Sequence, residues 1–301
     1  MYKKISLILG KYLTKDTRVV IAISGGVDSI VLLDISKEYF KDIYVVNINH
    51  GMRKESVQDK GLVESYCIKN NLKFFYEEIL WDNEKKTEEN MRNKRYEILK
   101  KIKEENNCKY ILTAHHLNDK IETFLFRMIR GSGLYGLLSP KVLDGDRLKP
   151  LLSIKKKEIV EYAKEKNLEW NEDISNLDES FDRNKIRNSI IPMMEEIHES
   201  FLDNSFSLIS DLEQWDDFHK KYIEEWIDKN PIPFSCDEFL KLPPIVQTEL
   251  LLMIVRKEGE SMTRGHLEEI LKIIRRGVGK KEVQLKNGIV IKVENKKVYI
   301  A

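Results

Sequence analysis

The feature that most constrains this chain of 301 residues is the apolar run Val19-Val20-Ile21-Ala22-Ile23, which leads directly into Ser24-Gly25-Gly26-Val27-Asp28-Ser29. The run reads as a buried parallel strand, and the apolar periodicity from Val27 to Phe40 reads as a helix. The turn between them carries chemistry. Paired glycines without Cβ let backbone N–H groups close on an anion, and the helix N-terminus behind them adds partial positive charge. Ser24 and Ser29 offer hydroxyls to phosphate oxygens, and Asp28 has the chemistry to hold a magnesium ion bridging phosphates. The longer spacer and Gly-Lys-Ser/Thr ending of a Walker loop are absent, as is the third glycine of the dinucleotide fingerprint.

A further near-continuous apolar run at 43–48 and the segments 74–79 and 109–113 read as strands, alternating with helical patterns at 56–70, 88–105 and 119–130. In the second of these helices Met91, Tyr96, Ile98, Leu99 and Ile102 form the expected buried side. Alternation of this kind implies parallel pairing through right-handed crossovers, with helices on both faces of the sheet. Ligands of such sheets gather beyond the carboxyl ends of the strands, which places Ser24, His50 and His115 on one rim. Gly131-Ser132-Gly133 ends the third helix, 134–152 is loop-rich, and Ser153 is the expected cap of a helix running to about Asn167. The stretch 172–188 is polar and reads as an ordered loop leading into a helix. From Phe201 the character changes: Leu208, Leu212, Trp215, Phe218, Tyr222 and Trp226 recur at helical spacing, and the aromatics read as core rather than as base-stacking platforms. Prolines 231, 233, 243 and 244 divide the next segments into shorter helices, and 263–276 reads as another. Alternating segments around Lys286-Asn287-Gly288 give a hairpin signal near the end. The expected architecture is α/β: a parallel-sheet domain over 1–200, then a smaller, mostly helical domain over 201–301 ending in short antiparallel strands.

Charged residues at 34% and hydrophobic ones at 42% fit a soluble globular protein, and a formal net charge of +1 gives no global electrostatic case for nucleic acid. A polyanion site has to be a local basic patch. Lys155-Lys156-Lys157 and Arg275-Arg276 with Lys280-Lys281 are the candidates, although runs of this kind read first as solvated faces. Cys67, Cys108 and Cys236 form no Cys-x-x-Cys pair, which argues against a disulfide framework or zinc site and for thiols in a reducing cytosol. No secretory signal and no apolar run of membrane-spanning length is present, so the expected location is cytoplasmic with no membrane partner.

A second constellation is His115-His116-Leu117-Asn118-Asp119-Lys120-Ile121-Glu122-Thr123. Asp119 and Glu122 are three apart at a helix start, so both carboxylates lie on one face. Such a pair can accept a proton from an amine, bind an ammonium group, hold magnesium near a nucleotide, or simply complement the helix dipole. Arg92, Arg95, Arg183 and Arg187 supply guanidinium forks suited to phosphate or carboxylate, and each reads equally as a structural ion pair.

Ser-Gly-Gly-x-Asp-Ser resembles the PP-loop of the ATP pyrophosphatases, which cleave ATP between its α and β phosphates. Thr113-Ala114-His115-His116-x-x-Asp119-x-x-Glu122-Thr123 with Arg130-Gly131-Ser132-Gly133-Leu134-x-Gly136-Leu137 resembles the signature of the tRNA(Ile)-lysidine synthetases. Asn47-x-Asn49-His50-Gly51-Met52-Arg53, Arg92-x-x-Arg95-Tyr96, Lys149-Pro150-Leu151-Leu152, and Glu172-Asp173-x-Ser175-Asn176 with Arg183-Asn184-x-Ile186-Arg187 resemble that family's other motifs, in order, over residues 17 to 192. The resemblance implies a PP-loop, adenine nucleotide alpha hydrolase-like fold and a carbon–nitrogen ligase. Its substrates would be ATP, free L-lysine and tRNA(Ile) with a CAU anticodon, with Mg2+ as cofactor. Lysine would be joined to C2 of the wobble cytidine (position 34) through an adenylated intermediate, changing codon reading from AUG to AUA. Carried onto this chain, it implies nucleotide binding by Ser24, Gly25, Gly26, Val27, Asp28, Ser29, His50 and His115. It implies catalysis by Asp28, Arg92, Asp119 and Glu122, substrate binding by Arg95, Asp119, Glu122, Arg183 and Arg187, and metal binding by Asp28 and Asp119. Whether Asp119 is base, lysine ligand or metal ligand stays open, and so does a homodimer. The family usually carries Asp-Asp-Gln where this chain has Asn118-Asp119-Lys120, so the first carboxylate is not essential and Lys120 is expected on the solvent side. The chain ends at Ala301, which resembles the shorter architecture of the family, with residues 201–301 as a tRNA-binding domain. A tRNA thiolase would need clustered cysteines, and a glutamine-dependent amide ligase would need an amidotransferase segment with a nucleophilic cysteine. A silent RNA-binding module has no use for Ser24, Asp28, Ser29, Asp119 and Glu122 together.

Overall fold

The computed structural model describes residues 1–49, 51, 56–81, 85–171, 182–260, 262–277, 281–285 and 288–300. The chain divides into two compact units, Met1–Ser210 and Asp211–Ala301. Strands β1 (Val19–Ala22), β2 (Ile43–Asn49), β3 (Lys73–Glu78), β4 (Tyr110–Leu112), β5 (Leu143–Asp144) and β6 (Arg147–Leu148) form one sheet in the order β3-β2-β1-β4-β6-β5. Every neighbouring pair is parallel except β5 with β6. Between the strands run α1 (Tyr2–Tyr12), α2 (Val27–Tyr39), α3 (Ser56–Lys69), α4 (Glu88–Glu105), α5 (Leu117–Ile129), α6 (Leu134–Leu137) and α7 (Lys156–Glu165).

Period-two alternation explains the layering. Val19 and Ile21 pack with Ile5, Leu9, Ile30 and Ile159 on one face of the sheet, while Val20 packs with Leu99 and Ile102 of α4 on the other. With both faces covered, β1 has no polar side, which is why it reads as a continuous apolar run. Strand order reverses at β1: β2 and β3 lie to one side of it, β4 and β6 to the other. That topological switch opens a crevice between the carboxyl ends of β1 and β4.

Local details depart from the sequence reading. The loop-rich stretch contains the β5–β6 hairpin, and β6 extends the sheet beyond β4. Ser153 is not a cap; α7 starts at Lys156, because turns closed by Leu152 N–H on Lys149 O and Ile154 N–H on Leu151 O bury Leu151, Leu152 and Ile154 first. Helix α5 starts at Leu117, two residues earlier than its pattern suggests, because His116 caps it. Lys120 is buried rather than solvent-facing: it shares a helix row with Leu117 and Ile121, and its ammonium lies over the Phe206 ring.

After α8 (Asp182–Lys185), a π-helical turn (Ile186–Ile190) and α9 (Ile191–Ile197), helix α10 (Phe201–Lys229) begins. Here the aromatic stripe is mis-phased by the sequence reading. The helix buries Leu202, Ile209, Asp216 and Ile223, one every seven residues, whereas Trp215, Phe218 and Tyr222 are 65%, 60% and 41% exposed. One residue is a rotation of about 100°. Asp216 is tolerated on the buried row because Lys220 pairs with it at 2.5 Å. Trp226 does join the core, edge-on to Phe234 and Phe239.

The second unit adds α11 (Cys236–Leu240), α12 (Pro244–Lys257), α13 (Arg264–Arg276) and an antiparallel sheet, β7-β10-β9-β8. Its strands are β7 (Phe234–Ser235), β8 (Lys281–Gln284), β9 (Val290–Glu294) and β10 (Lys297–Ile300). Lys286 and Asn287 of the hairpin signal lie outside the described residues, but β8 and β9 pair as an antiparallel ladder. No described helix is long and apolar enough to cross a membrane.

Candidate active site

Five chain segments meet at the switch point. The first is the turn after β1. Gly25 adopts φ +92°, and a Cβ there would meet the Asp59 side chain at 3.1 Å, so only glycine fits both backbone and neighbour. Its carbonyl accepts from Asn171 N–H at 3.1 Å. The Ser29 hydroxyl is turned inward: it donates to Gly26 O at 2.8 Å and accepts from Ser24 N–H at 3.2 Å. Ser29 therefore shapes the turn. The first N–H groups of α2, from Val27 and Asp28, have no acceptor within the helix and are available to an anion. From β2, the buried Asn47 amide donates to Ile23 O at 2.8 Å and pins the strand end where the turn begins. Asn49 Oδ1 accepts from Gly51 N–H. His50, Met52 and Arg53 lie outside the described residues, as do Glu172, Asp173, Ser175 and Asn176.

The β4–α5 junction supplies the second wall. His116 is the N-cap of α5: its Nδ1 accepts from Asp119 N–H at 3.4 Å, and Asp119 Oδ2 accepts from His116 N–H at 3.0 Å. With Nδ1 acting as acceptor, the ring proton belongs on Nε2, which lies 3.7 Å from Asp28 Oδ1 and 3.5 Å from Asp119 Oδ2. His116, not singled out as a ligand by the sequence, thus joins the turn to the carboxylate pair. Asp119 lies in the first turn of α5, where its charge also complements the helix dipole. Arg187, on the π-helical turn, closes the site: its Nε donates to Glu122 Oε2 at 2.8 Å, and a terminal nitrogen donates to Asp119 Oδ1 at 3.3 Å. Such turns are frequent at functional sites.

The two carboxylates are driven apart in acidity. Burial alone would lift Asp119, but His116, His115, the His116 N–H bond and Arg187 outweigh it and hold this carboxyl below the usual range. Glu122 is raised, by burial first and by the Asp119 charge, against the pull of Arg187 and Arg183. Paired groups with opposite shifts mark out separate acid–base roles.

A positive pocket adjoins them. Tyr96 has Arg92, Arg95 and Arg147 over its ring, at 5.6, 5.3 and 4.8 Å, and Arg183 lies over Phe126 at 5.1 Å. Burial pushes His115 down to about 4, opposed by Asp119 and assisted by Arg95, Lys149 and Arg92; its Nδ1 is 3.0 Å from Thr113 Oγ1. Among the described residues, Arg95 Nε and Tyr96 Oη are buried without a hydrogen-bond partner. Orphaned donors in a cationic pocket suit an anionic group.

The donor set fits magnesium in a limited way. Among the described residues no group of three potential metal-ligating side chains exists, but magnesium beside a nucleotide keeps waters and phosphate oxygens and asks for only one or two carboxylates. Asp28, at the mouth of the turn, has both oxygens on the part-exposed Lys156 ammonium and meets that need once the ammonium moves aside. Asp119 fits less well, since the backbone N–H of His116, fixed in the helix cap, and Arg187 engage its two oxygens. The cysteines belong elsewhere: burial pushes the Cys67 and Cys108 thiols up to about 12 and 11, and Cys236 is buried too.

A model of the PP-loop domain matches residues 1–194. A tRNA(Ile)-lysidine synthase of Thermosipho africanus is 33% identical over 277 residues, covering 88% of this chain and 63% of the relative. One of Persephonella marina is 33% identical over 301 residues, covering 94% and 64%. The chain thus spans a little under two thirds of the length of these curated relatives. Among solved structures, a U34-tRNA thiolase of Methanococcus maripaludis aligns with a TM-score of 0.60 at 18% identity, covering 71% of this chain and 77% of that one; the likeness is one of fold.

Proposed function

Since the chain belongs to the PP-loop family, we propose that it uses ATP to activate the wobble cytidine of a CAU-anticodon tRNA(Ile) and then ligates free lysine to it. The observation that carries this reading is the union of the phosphate-type turn with the Asp119–Glu122–Arg187 cluster, joined through His116. Relatives a third identical across most of this chain, which are named tRNA(Ile)-lysidine synthases, support it.

Cytosine C2 is a poor electrophile because its oxygen leaves badly. Transfer of AMP from ATP to that oxygen makes a leaving group, and pyrophosphate departs onto the N–H groups of Gly26, Val27 and Asp28 and the Ser24 hydroxyl. Magnesium held by Asp28 and phosphate oxygens would neutralise charge on the nucleotide. The lysine ε-amine then bonds to C2, the C2–O bond breaks, and AMP leaves with the oxygen. The amine attacks only when neutral, and its ordinary pKa is about 10.4. The opposite shifts of the two carboxyls divide the work: ionised Asp119 holds the ammonium, and raised Glu122 is the better-matched proton acceptor. Arg92, Arg95 and Arg183 suit the AMP phosphate or the lysine carboxylate.

An unpaired anticodon base can be splayed into such a crevice and read on its edges. Residues 261–301 carry ten Lys and Arg against four Asp and Glu, whereas 211–260 carry six against twelve. The tRNA backbone therefore belongs with the α13–β10 end, including Arg275, Arg276 and Lys281, rather than with the acidic surroundings of Trp215 and Phe218.

The test is transfer of radiolabelled lysine to tRNA. The expected result is ATP-dependent incorporation into a CAU-anticodon tRNA(Ile), with AMP and pyrophosphate as co-products, abolished in Asp119→Ala with tRNA affinity largely kept. Folded protein that gives no incorporation into any tRNA overturns the proposal.

A further inference from the structure

Lys156 sits in the charge run that reads from sequence as a solvated face, yet its ammonium lies 2.6 Å from Asp28 Oδ1 and 2.7 Å from Oδ2. The position is built. Lys156 N–H donates to Asn118 Oδ1 at 3.0 Å, fixing the first residue of α7 to the β4–α5 junction. Six residues further along both helices, Tyr162 O–H donates to Asp34 Oδ2 at 2.9 Å. Asp34 is buried and also accepts from Tyr66 O–H at 2.6 Å and pairs with Lys37 at 2.7 Å. Two rungs about 9 Å apart along the axes hold α2 and α7 in one parallel register. The upper rung is locked in the core; the lower one, at 39% and 27% side-chain exposure, is open to exchange.

An ammonium bridging both carboxylate oxygens occupies the position a chelating divalent cation would take and repels it, so the two cations compete for Asp28. Lysine suits an exchange, being a compact charge on a flexible four-carbon arm. We propose that Lys156 is an internal cation that occupies Asp28 in the nucleotide-free protein and moves onto the pyrophosphate end of ATP when magnesium takes Asp28. Lys156 thereby couples the magnesium requirement to nucleotide binding. This rests on the PP-loop reading above and extends it to a residue outside the motif series.

The experiment is equilibrium binding of α,β-methylene-ATP to the full chain by calorimetry across a magnesium series, with neither lysine nor tRNA present. In Lys156→Met the expected result is two opposed changes: nucleotide affinity at saturating magnesium falls about tenfold, and the magnesium concentration giving half-maximal binding also falls several-fold. Lys156→Arg keeps most of the affinity, and covers the case in which the methionine variant does not fold. In an Asp28→Asn background, Lys156→Met no longer moves the magnesium midpoint. An unchanged or raised midpoint in folded Lys156→Met overturns the exchange while leaving the lysine-ligation proposal standing. No binding by the wild-type chain at any magnesium concentration overturns both, and failure of lysine transfer alone leaves the exchange intact.

Discussion

Lys149, at the end of β6, is 2% exposed, and its ammonium donates to Lys141 O at 3.3 Å. Burial pushes its pKa down from 10.5 to about 8; Asp144 opposes the shift, and Arg147 and Arg92 add to it. Below pH 8 the folded chain holds a charge that the unfolded chain keeps in water, and the penalty is complete. Between about pH 8 and 10.5 the unfolded state binds the extra proton, so stability rises with pH, and above that window the penalty is gone. A shift of this size corresponds to about 3 kcal/mol. Lys149→Met keeps the length of the side chain and removes the charge. The variant should therefore be about 3 kcal/mol more stable than wild type at pH 7, with the difference vanishing towards pH 10.5 to 11. Urea unfolding of both proteins by circular dichroism at pH 7, 9 and 10.5 checks this, because every other titrating group cancels in the difference. A difference that does not change with pH, or a variant less stable at pH 7, would refute the reasoning. A stabilised variant that binds nucleotide or lysine less well would show stability traded for a positive site.

Two other substitutions probe the same crevice. Arg187→Met leaves Asp119 and the buried Glu122 facing each other without their guanidinium. Because Arg187 is itself 39% exposed, the expected loss is about 2 kcal/mol at pH 7, below the range for fully buried pairs. That loss should shrink as pH falls and Glu122, whose carboxyl is already raised, takes up a proton; thermal melts at pH 5 and 7 read it. Gly25→Ala forces a side chain onto a φ of +92° and against Asp59. Nucleotide binding should drop at least tenfold in calorimetry while the circular dichroism spectrum stays native, and retained affinity would show that the turn accommodates a Cβ.

The parallel sheet was legible because β1, β2 and β4 are buried on both faces and each feeds a helix, so apolar runs and their spacing suffice. The β5–β6 hairpin was not, since two-residue strands carry no periodicity, and only pairing of Ile111 and Leu112 with Arg147 and Leu148 makes them sheet. Ser24 to Ser29 and the Asp119–Glu122 face announce themselves through residue type and interval. His116 and Lys156 do not, because their partners lie far off in sequence: 128 residues separate Lys156 from Asp28. On α10 the aromatic stripe outweighed the true buried row because its side chains are larger and because an aspartate interrupts that row.

The departure at Asn118-Asp119-Lys120 has a physical account in these contacts. Asn118 uses one oxygen to accept the Lys156 N–H, a task an amide oxygen performs as well as a carboxylate does. Asp119 accepts from His116 N–H on one oxygen and from Arg187 on the other, beside His116 Nε2. Only a carboxylate offers two acceptor oxygens and the charge that balances a guanidinium. Replacing the first acid of such a pair therefore leaves the scaffold intact, whereas replacing the second removes the acceptor for His116 N–H and one of the two carboxylates that α5 offers Arg187. Lys120, buried over Phe206, belongs to the packing of α5 rather than to the crevice. On the proposed reading the chemistry concentrates in Asp28, Asp119 and Glu122, each of which already faces a cation or donor: Lys156 for Asp28 and Arg187 for the other two.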